Sequence, residues 1–384
     1  MIRLQRHSIF CAAVFGVVVV LLPRTALQAQ GALSAQGFGY PTGGLSTRSL
    51  GAAGATGEFD LLSSRNPAAV AEIGNSIISV QGEPEFRTVR FGDIRENSTA
   101  QRVPLIAAGL RVKRVGLLIS GTTLLDRSFT TESSGSAIID GTAVPTTDRL
   151  ESRGAMTELR LAAGWTWKKL GLGAAILAVT GEHSVVRTRA FPDTLRFGGV
   201  LDSTRIGFEG VGAALGVNWR VSRDLLVGAS WKVGGALNAL RRDSTLRSAN
   251  LPGRLGAGVL YQGFSGTVLA ANVERIQWSA MNGLGSEAAT AQDATNWSVG
   301  TEFEAGSLRR VPVLWRVGYG QRDLPFLLRD LPVSERGIHG GLGIPIASEN
   351  ASLDLSVQRS LRRVKGDQAR EDAWGLSAAI TIRP

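Results

Sequence analysis

The chain has 384 residues, a formal net charge of +10 and one cysteine, Cys11. Its basic residues are scattered singly and are not clustered with aromatics, a distribution that argues against a nucleic-acid surface. A single cysteine excludes an intramolecular disulfide framework and a cysteine-based metal site.

Residues 1–29 carry Arg3 and Arg6, an apolar run from Ile9 to Leu22, then Pro23 and a small-residue stretch ending Ala26-Leu27-Gln28-Ala29. This is the layout of a cleaved secretory signal peptide. The run is shorter than the roughly 20 residues a membrane-spanning helix needs. Cleavage is expected after Ala29, with Leu27 an imperfect residue three positions before a cut. Cys11 lies ahead of most of the apolar run, so it is not placed like a lipid-modified cysteine. Removal of Arg3, Arg6 and Arg24, with no acids, takes the formal charge from +10 to +7. That excess suits a protein beside anionic lipid headgroups.

From Gly43 to Gly74 the chain reads GGLSTRSLGAAGATGEFDLLSSRNPAAVAEIG. It has no strand alternation and is too apolar for a solvated linker, so it belongs inside something, with small side chains allowing close backbone approach. Asp60 or Ser64 is expected to cap a short helix. Pro67 pushes Asn66 towards extended geometry.

Beyond residue 75 one pattern repeats: alternate apolar positions, then a break. Val115, Leu117, Ile119 and Leu125 oppose Ser120, Thr122 and Asp126. Leu225, Val227, Ala229, Trp231 and Val233 oppose Asp224, Gly228, Ser230 and Lys232. Leu353, Leu355 and Val357 oppose Asp354, Ser356 and Gln358, and Trp374, Leu376, Ala378 and Ile380 oppose Ser377 and Thr381. A period of two is that of strands with one apolar face. Strands are expected near 76–91, 102–112, 114–128, 153–167, 170–187, 204–220, 224–242, 251–262, 264–278, 293–305, 310–321, 336–347, 351–363 and 372–383.

The breaks alternate in length. Long ones hold 92–101, 129–152, 188–203, 243–250, 279–292, 322–335 and 364–371; short ones centre on Lys113, Lys168-Lys169, Ser222-Arg223, Gly263, Gly306-Ser307 and Glu349-Asn350. Transmembrane barrels have this asymmetry, with tight periplasmic turns and longer outer loops. Closure satisfies backbone hydrogen bonds in hydrocarbon and removes sheet edges. Trp165, Trp167 and Trp219 beside short turns, with Trp278 and Trp374 near long breaks, read as interfacial belts. The inward faces are expected to mix Ser, Thr and single charges with apolar Leu177, Val179, Leu260, Leu269 and Leu314. The fold expected is all-β: a transmembrane antiparallel barrel of about 14 strands, with a signal over 1–29, an enclosed segment over 30–75 and the wall over 76–384.

Ser49-Leu50-Gly51-Ala52-Ala53-Gly54-Ala55, Asp60 and Asn66-Pro67-Ala68-Ala69-Val70 resemble the N-terminal segment of FadL-type outer-membrane transporters of long-chain fatty acids and other hydrophobic compounds. The resemblance continues in Pro252 to Gly258, Val273 to Ser279, Asn296 to Phe303, Arg316 to Gly320, Leu324-Pro325-Phe326 and His339 to Gly343. It implies a hatch that plugs a fourteen-stranded barrel, and passive uptake of a hydrophobic small molecule through apolar pockets, with lateral exit. Asn66, Pro67, Ala68 and Ala69 are the hatch and gating residues expected, with Asn66 bonding the wall. The partners implied are the hydrophobic ligand, the lipid bilayer and the outer-membrane assembly machinery; the location is the outer membrane. A second reading stays open: a non-transporting barrel of similar kind that acts as a docking or shuttle subunit in protein secretion, binding a protein partner through its outer loops, or as a structural outer-membrane protein. The ending Ile382-Arg383-Pro384 departs from the terminal aromatic of many such barrels.

No catalytic constellation is found, and no cofactor or metal is expected. His183 and His339 have no local partner spacing for zinc. Gly171-Leu172-Gly173 falls in a strand without a Walker lysine or a following helix. No Gly-x-Ser-x-Gly elbow is present. The sequence points to transport, not to an enzyme.

Overall fold

The computed structural model describes residues 39–91, 94–139, 142–192, 198–242, 244–284, 290–308, 311–328, 331–346, 350–364 and 369–384. The expected signal segment, its cleavage site and Cys11 lie outside the described residues.

A two-residue strand β1 (Tyr40–Pro41), a one-turn helix α1 (Thr47–Gly51) and a 3-10 helix (Pro67–Glu72) come first. Sixteen longer strands follow: β2 (Ser76–Phe91), β3 (Ile94–Val112), β4 (Val115–Asp126), β5 (Phe129–Ile139), β6 (Thr142–Trp167), β7 (Leu170–Ala190), β8 (Val200–Arg220), β9 (Leu225–Arg241), β10 (Ser244–Asn250), β11 (Gly253–Phe264), β12 (Thr267–Gln277), β13 (Ala294–Leu308), β14 (Val311–Leu328), β15 (Leu331–Ile346), β16 (Ala351–Val364) and β17 (Arg370–Ile382). A second 3-10 helix, Trp278–Leu284, lies between β12 and β13.

Fourteen strands close into an antiparallel ring, as expected. The ring omits β1, β5 and β10, and closes where β17 pairs with β2 from Arg370↔Arg90 to Ile382↔Ile78. β1 lies inside, paired with the end of β4. β5 forms a hairpin with β6 beyond the ring, and β10 continues the pairing of β9 where β11 stops.

The alternation faces the way hydrocarbon demands. Ile119 is 60% exposed on the outside, and its neighbour Ser120 is 2% exposed on the inside. Along β16, Leu355, Val357 and Leu361 point out, while Asp354, Ser356, Ser360 and Arg362 are buried. Polar inside and apolar outside is the pattern of a membrane barrel. Trp165, Trp167 and Trp219 stand exposed beside the turns at Lys168-Lys169 and Val221 to Asp224, and Trp374 is exposed near the other rim.

Five expectations are corrected. Most of the long breaks are strand: β6 runs 26 residues and β7 and β8 run 21 each. Above the membrane their Thr, Ser, Val and Arg side chains continue to pair, because β-propensity does not end where the apolar face does. Leu125 faces inward, because a bulge between Thr123 and Leu125 reverses the faces of β4. Leu269 faces outward, with Ala270, Asn272 and Glu274 supplying the inner face of β12. Trp278 is buried, because the 3-10 helix that it begins carries it into an inner apolar cluster. The turn expected at Gly263 falls at Ser265-Gly266, where Gly266 takes a left-handed φ of +66°.

Candidate functional site

The segment from Gly39 to Asn75 fills the lumen, and the wall is shaped to receive it. Asn66 is extended (φ −121°, ψ 115°), and its Oδ1 accepts from the Ala68 amide 2.9 Å away, capping the 3-10 helix with Pro67 at its first position. The cap is therefore Asn66, not Asp60 or Ser64. Asp60 instead closes a turn, accepting from the Leu62 amide and the Ser63 hydroxyl at 3.2 and 2.6 Å. Ser46 caps α1 through the Ser49 amide.

Of the residues singled out in the sequence, Asn66, Pro67, Ala68 and Ala69 are all buried against the wall. Asn66 Nδ2 donates to Asn218 Oδ1 on β8 at 2.9 Å. Arg111 at the end of β3 donates to the Ala71 and Ile73 carbonyls at 2.6 and 2.5 Å, satisfying the other end of the 3-10 helix.

Contact this close needs a wall without side chains. Gly116, Gly164, Gly173 and Gly216 are paired in direct register across β4, β6, β7 and β8. A Cβ at each would strike the hatch: the Val70 carbonyl, the Ala71 amide, the Pro67-Ala68 peptide and the Asn66 side chain in turn. Across the lumen, Gly300 and Gly318, paired between β13 and β14, leave the same room for Ala52, and Gly341 does so for Gly51. Only glycine lets two backbones meet at this distance. These glycines were not singled out in the sequence. The signal present there was one glycine at the same height in successive strands.

Buried charges fix the middle of the hatch. Glu58 pairs with Arg254 of β11, which also donates to Glu274 at 2.6 Å, and Glu274 in turn pairs with Arg65 of the hatch. Burial lowers the Arg65 pKa, and Glu274 works against that shift. On the opposite side Arg48 donates to Glu302 at 2.7 and 3.1 Å, and Arg316 bridges Glu302 to Asp354 at 2.6 and 2.7 Å. The pairs that join hatch to wall are remote in sequence, with Glu58–Arg254 spanning 196 residues and Arg48–Glu302 spanning 254.

Towards the outer end, Tyr40 sits among four arginines. The Arg362, Arg322, Arg102 and Arg87 guanidiniums lie 4.3, 4.8, 4.9 and 5.6 Å from its ring centre, within cation–π range. Its hydroxyl donates to Glu335 at 2.9 Å and accepts from Arg362 at 2.6 Å. Glu85, Glu335 and Glu371 balance the cage through Arg362. Beside it, Leu125, Met156, Val179, Phe208, Leu237, Trp278 and Met281 form an apolar cluster under the mouth. A cavity of about 150 Å³ lies between the hatch and this cluster, touched by Leu45, Arg65, Glu83, Lys232, Trp278 and Glu335.

Behind α1 the wall has a weak place. β17 pairs with β2 at Gly375↔Glu85 and again at Ala378↔Gly82, but not at Leu376 and Ser377 between them. On the other edge of β2 the register with β3 shifts between Gln81 and Glu83. Pro84 has no amide hydrogen to donate to the ladder, and Gly82 has no side chain to pack, so this stretch of β2 is held least. The hatch is bonded at this spot: Gln81 accepts from the Thr47 amide at 2.9 Å, and the Thr47 and Ser377 hydroxyls are 2.7 Å apart.

No family model matches the sequence, and no curated protein matches it. Solved structures do. A FadL homologue of Pseudomonas aeruginosa superposes with a TM-score of 0.63 at 14% identity, over 90% of this chain and 99% of that one. The toluene transporter TbuX of Ralstonia pickettii gives 0.57 at 16% identity, over 93% and 99%. The CymD monoaromatic hydrocarbon channel gives 0.57 at 14%, over 88% and 97%. The chain therefore has the fold of the FadL-type outer-membrane barrels.

Proposed function

We propose that this protein is an outer-membrane channel for hydrophobic small molecules. The observation that carries the reading is the order of layers in the lumen. An apolar cluster built on Phe208, Leu237, Trp278 and Met281 lies outermost, a cavity follows, and a hatch seated on glycines closes the inner end. An apolar solute gains by leaving water for the outer cluster, by about 25 cal/mol for each Å² of apolar surface covered. It then meets the hatch. The wall at Gly82 to Pro84 is the way out, and an apolar molecule leaving there enters hydrocarbon without crossing a polar pore. The solved structures of similar fold include a toluene transporter and a monoaromatic hydrocarbon channel, which supports the same substrate class here.

Passage is by passive diffusion, gated by the hatch. Asn66 to Ala69, the gating residues expected from the sequence, act instead as the fixed end, because the glycine row and Asn218 hold them to the wall. The part that yields is α1, whose Thr47 bonds to Gln81 and Ser377 lie across the weak ladder.

The test is to extract the mature protein gently and identify bound small molecules by mass spectrometry, beside a Leu237→Arg variant with a charge in the outer cluster. Hydrophobic compounds held by the wild type and lost from the variant are expected. A barrel that carries no such compound and retains a protein partner would overturn the reading in favour of a docking role.

A further inference from the structure

At the rim with the short turns, two neighbouring hairpins end in pairs of cations. Val112↔Val115 encloses Lys113-Arg114, and Trp167↔Leu170 encloses Lys168-Lys169. The two turns are neighbours on the rim because β4 pairs directly with β6, Val115 opposite Trp165. All four cations are exposed, and among the described residues none of them is in an ion pair. Residues 1–38 contain no Asp or Glu. Glu72, at the end of the hatch's 3-10 helix, lies on the lumen side of the wall. The next turn along, Val221 to Asp224, carries one cation, Arg223, and one acid, Asp224, and so adds no net charge.

The backbone of these turns does not favour lysine. Lys113 and Lys168, each the first residue of a two-residue turn, have φ of +56° and +55°, in the left-handed region where hairpin turns take glycine or asparagine. A long cationic side chain kept at a strained position in two adjacent turns points to a use for its charge. Height and direction say which use. Trp165, Trp167 and Trp219 face outward at this rim, and such aromatics sit at the level of the lipid headgroups. Lys168 follows Trp167 directly, and its ammonium folds to 5.4 Å from the Trp167 ring centre. It is therefore on the membrane side of the wall. Two strand spacings of about 4.8 Å separate the turns by about 10 Å, so side chains from both can reach one phosphate between them. Ammonium and guanidinium groups both pair with phosphate oxygens.

The geometry points to a site for the headgroup phosphate of an anionic phospholipid of the periplasmic leaflet on Lys113, Arg114, Lys168 and Lys169. Short turns put this rim on the periplasmic side. The site lies outside the lumen and depends only on the barrel's spanning the membrane, so it stands whatever the channel carries. It adjoins the anchored end of the hatch, since Arg111, two residues before Lys113, holds the Ala71 and Ile73 carbonyls. A lipid held there touches the hairpin that carries this anchor.

The experiment uses the full mature chain in neutral detergent, titrated with phosphatidylglycerol and followed by native mass spectrometry. One comparison protein carries Lys113→Gly and Lys168→Gly, and a second adds Arg114→Gln and Lys169→Gln; heat-modifiable gel migration verifies folding. Glycine relieves both turns, so the double variant should unfold at no lower temperature than the wild type, and it decides the matter if the quadruple variant does not fold. A cation beside an anionic lipid surface contributes a factor of about five, so the double variant should bind roughly tenfold more weakly and the quadruple variant more weakly still. Lys113→Arg with Lys168→Arg keeps the charge and should bind like the wild type. Phosphatidylcholine, which has the phosphate but no net charge, should bind the wild type weakly. Added salt should weaken the wild type most. Equal binding of phosphatidylglycerol by the wild type and the double variant would overturn the proposal. So would equal binding of phosphatidylcholine, or inorganic phosphate displacing the lipid at the lipid's own concentration, which would assign the turns to free phosphate.

Discussion

Asn66 and Asn218 face each other across the boundary between hatch and wall, with Asn66 Nδ2 donating to Asn218 Oδ1 at 2.9 Å. The same Asn66 side chain accepts from the Ala68 amide, so one residue both starts the 3-10 helix and ties it to β8. It can do so because Gly216, on the strand beside it, has no Cβ to occupy that space.

Gly173→Ala is therefore expected to unseat the hatch without preventing barrel closure. The added methyl would strike the Pro67-Ala68 backbone, which cannot rotate away as a side chain can. The Gly171→Ala control meets its nearest atom at 3.6 Å and should be silent. Limited proteolysis checks this: cleavage within residues 43–72 should appear in Gly173→Ala alone, with heat-modifiable migration of the barrel unchanged.

Arg254→Met strands the Glu58 carboxylate in a buried place and leaves Glu274 with Arg65 alone as its cationic partner. Removal of one partner from a buried ion pair costs about 3–5 kcal/mol. Adding Glu58→Gln to Arg254→Met should recover part of that loss, because one uncompensated charge is gone. Denaturant unfolding of the single and double variants in the same detergent decides it. A double variant no more stable than Arg254→Met would show that the hatch pair is energetically idle.

Tyr40→Phe keeps the ring among its four arginines and removes the hydroxyl between Glu335 and Arg362. The expected loss is about 1–3 kcal/mol, the usual contribution of hydrogen bonds to charged groups, since Glu335 and Arg362 keep each other and their other partners. Tyr40→Leu removes the cation–π contacts as well, and should cost more. Thermal unfolding of the three proteins side by side gives the order.

Pro84→Val restores an amide hydrogen to β2 opposite the unpaired part of β17. A completed ladder should add about 1 kcal/mol of stability. If solutes leave through this wall, their uptake into cells expressing the variant should fall while co-purified ligand stays bound. Unchanged uptake with a measurably more stable barrel would place the exit elsewhere.

Much of this architecture was legible along the chain. The alternation of Leu355, Val357 and Leu361 with Asp354, Ser356 and Ser360 states a strand with one face in hydrocarbon, whatever lies beside it. Short turns such as Lys113-Arg114 and Lys168-Lys169 set the hairpins, and their number set the count of strands. Asn66-Pro67 announced the extended backbone at Asn66, because proline restricts its neighbour locally, but not that Asn66, in place of Asp60 or Ser64, would cap the 3-10 helix. Less legible were Leu125, Leu269 and Trp278. At Leu125 a bulge reverses the face by one residue, and a pattern of period two cannot say where the extra residue falls; at Trp278 the strand gives way to a 3-10 helix.

The sequence by itself determined the class of fold, the number of wall strands and the segment that fills the lumen, since each depends on spacing within about twenty residues. The tertiary structure alone decided the rest. Glu58 meets Arg254 across 196 residues, Tyr40 meets Arg362 across 322, and four glycines on four strands become one seat. Those contacts depend on the register between strands, and register is fixed only when the ring closes and every backbone group finds its partner.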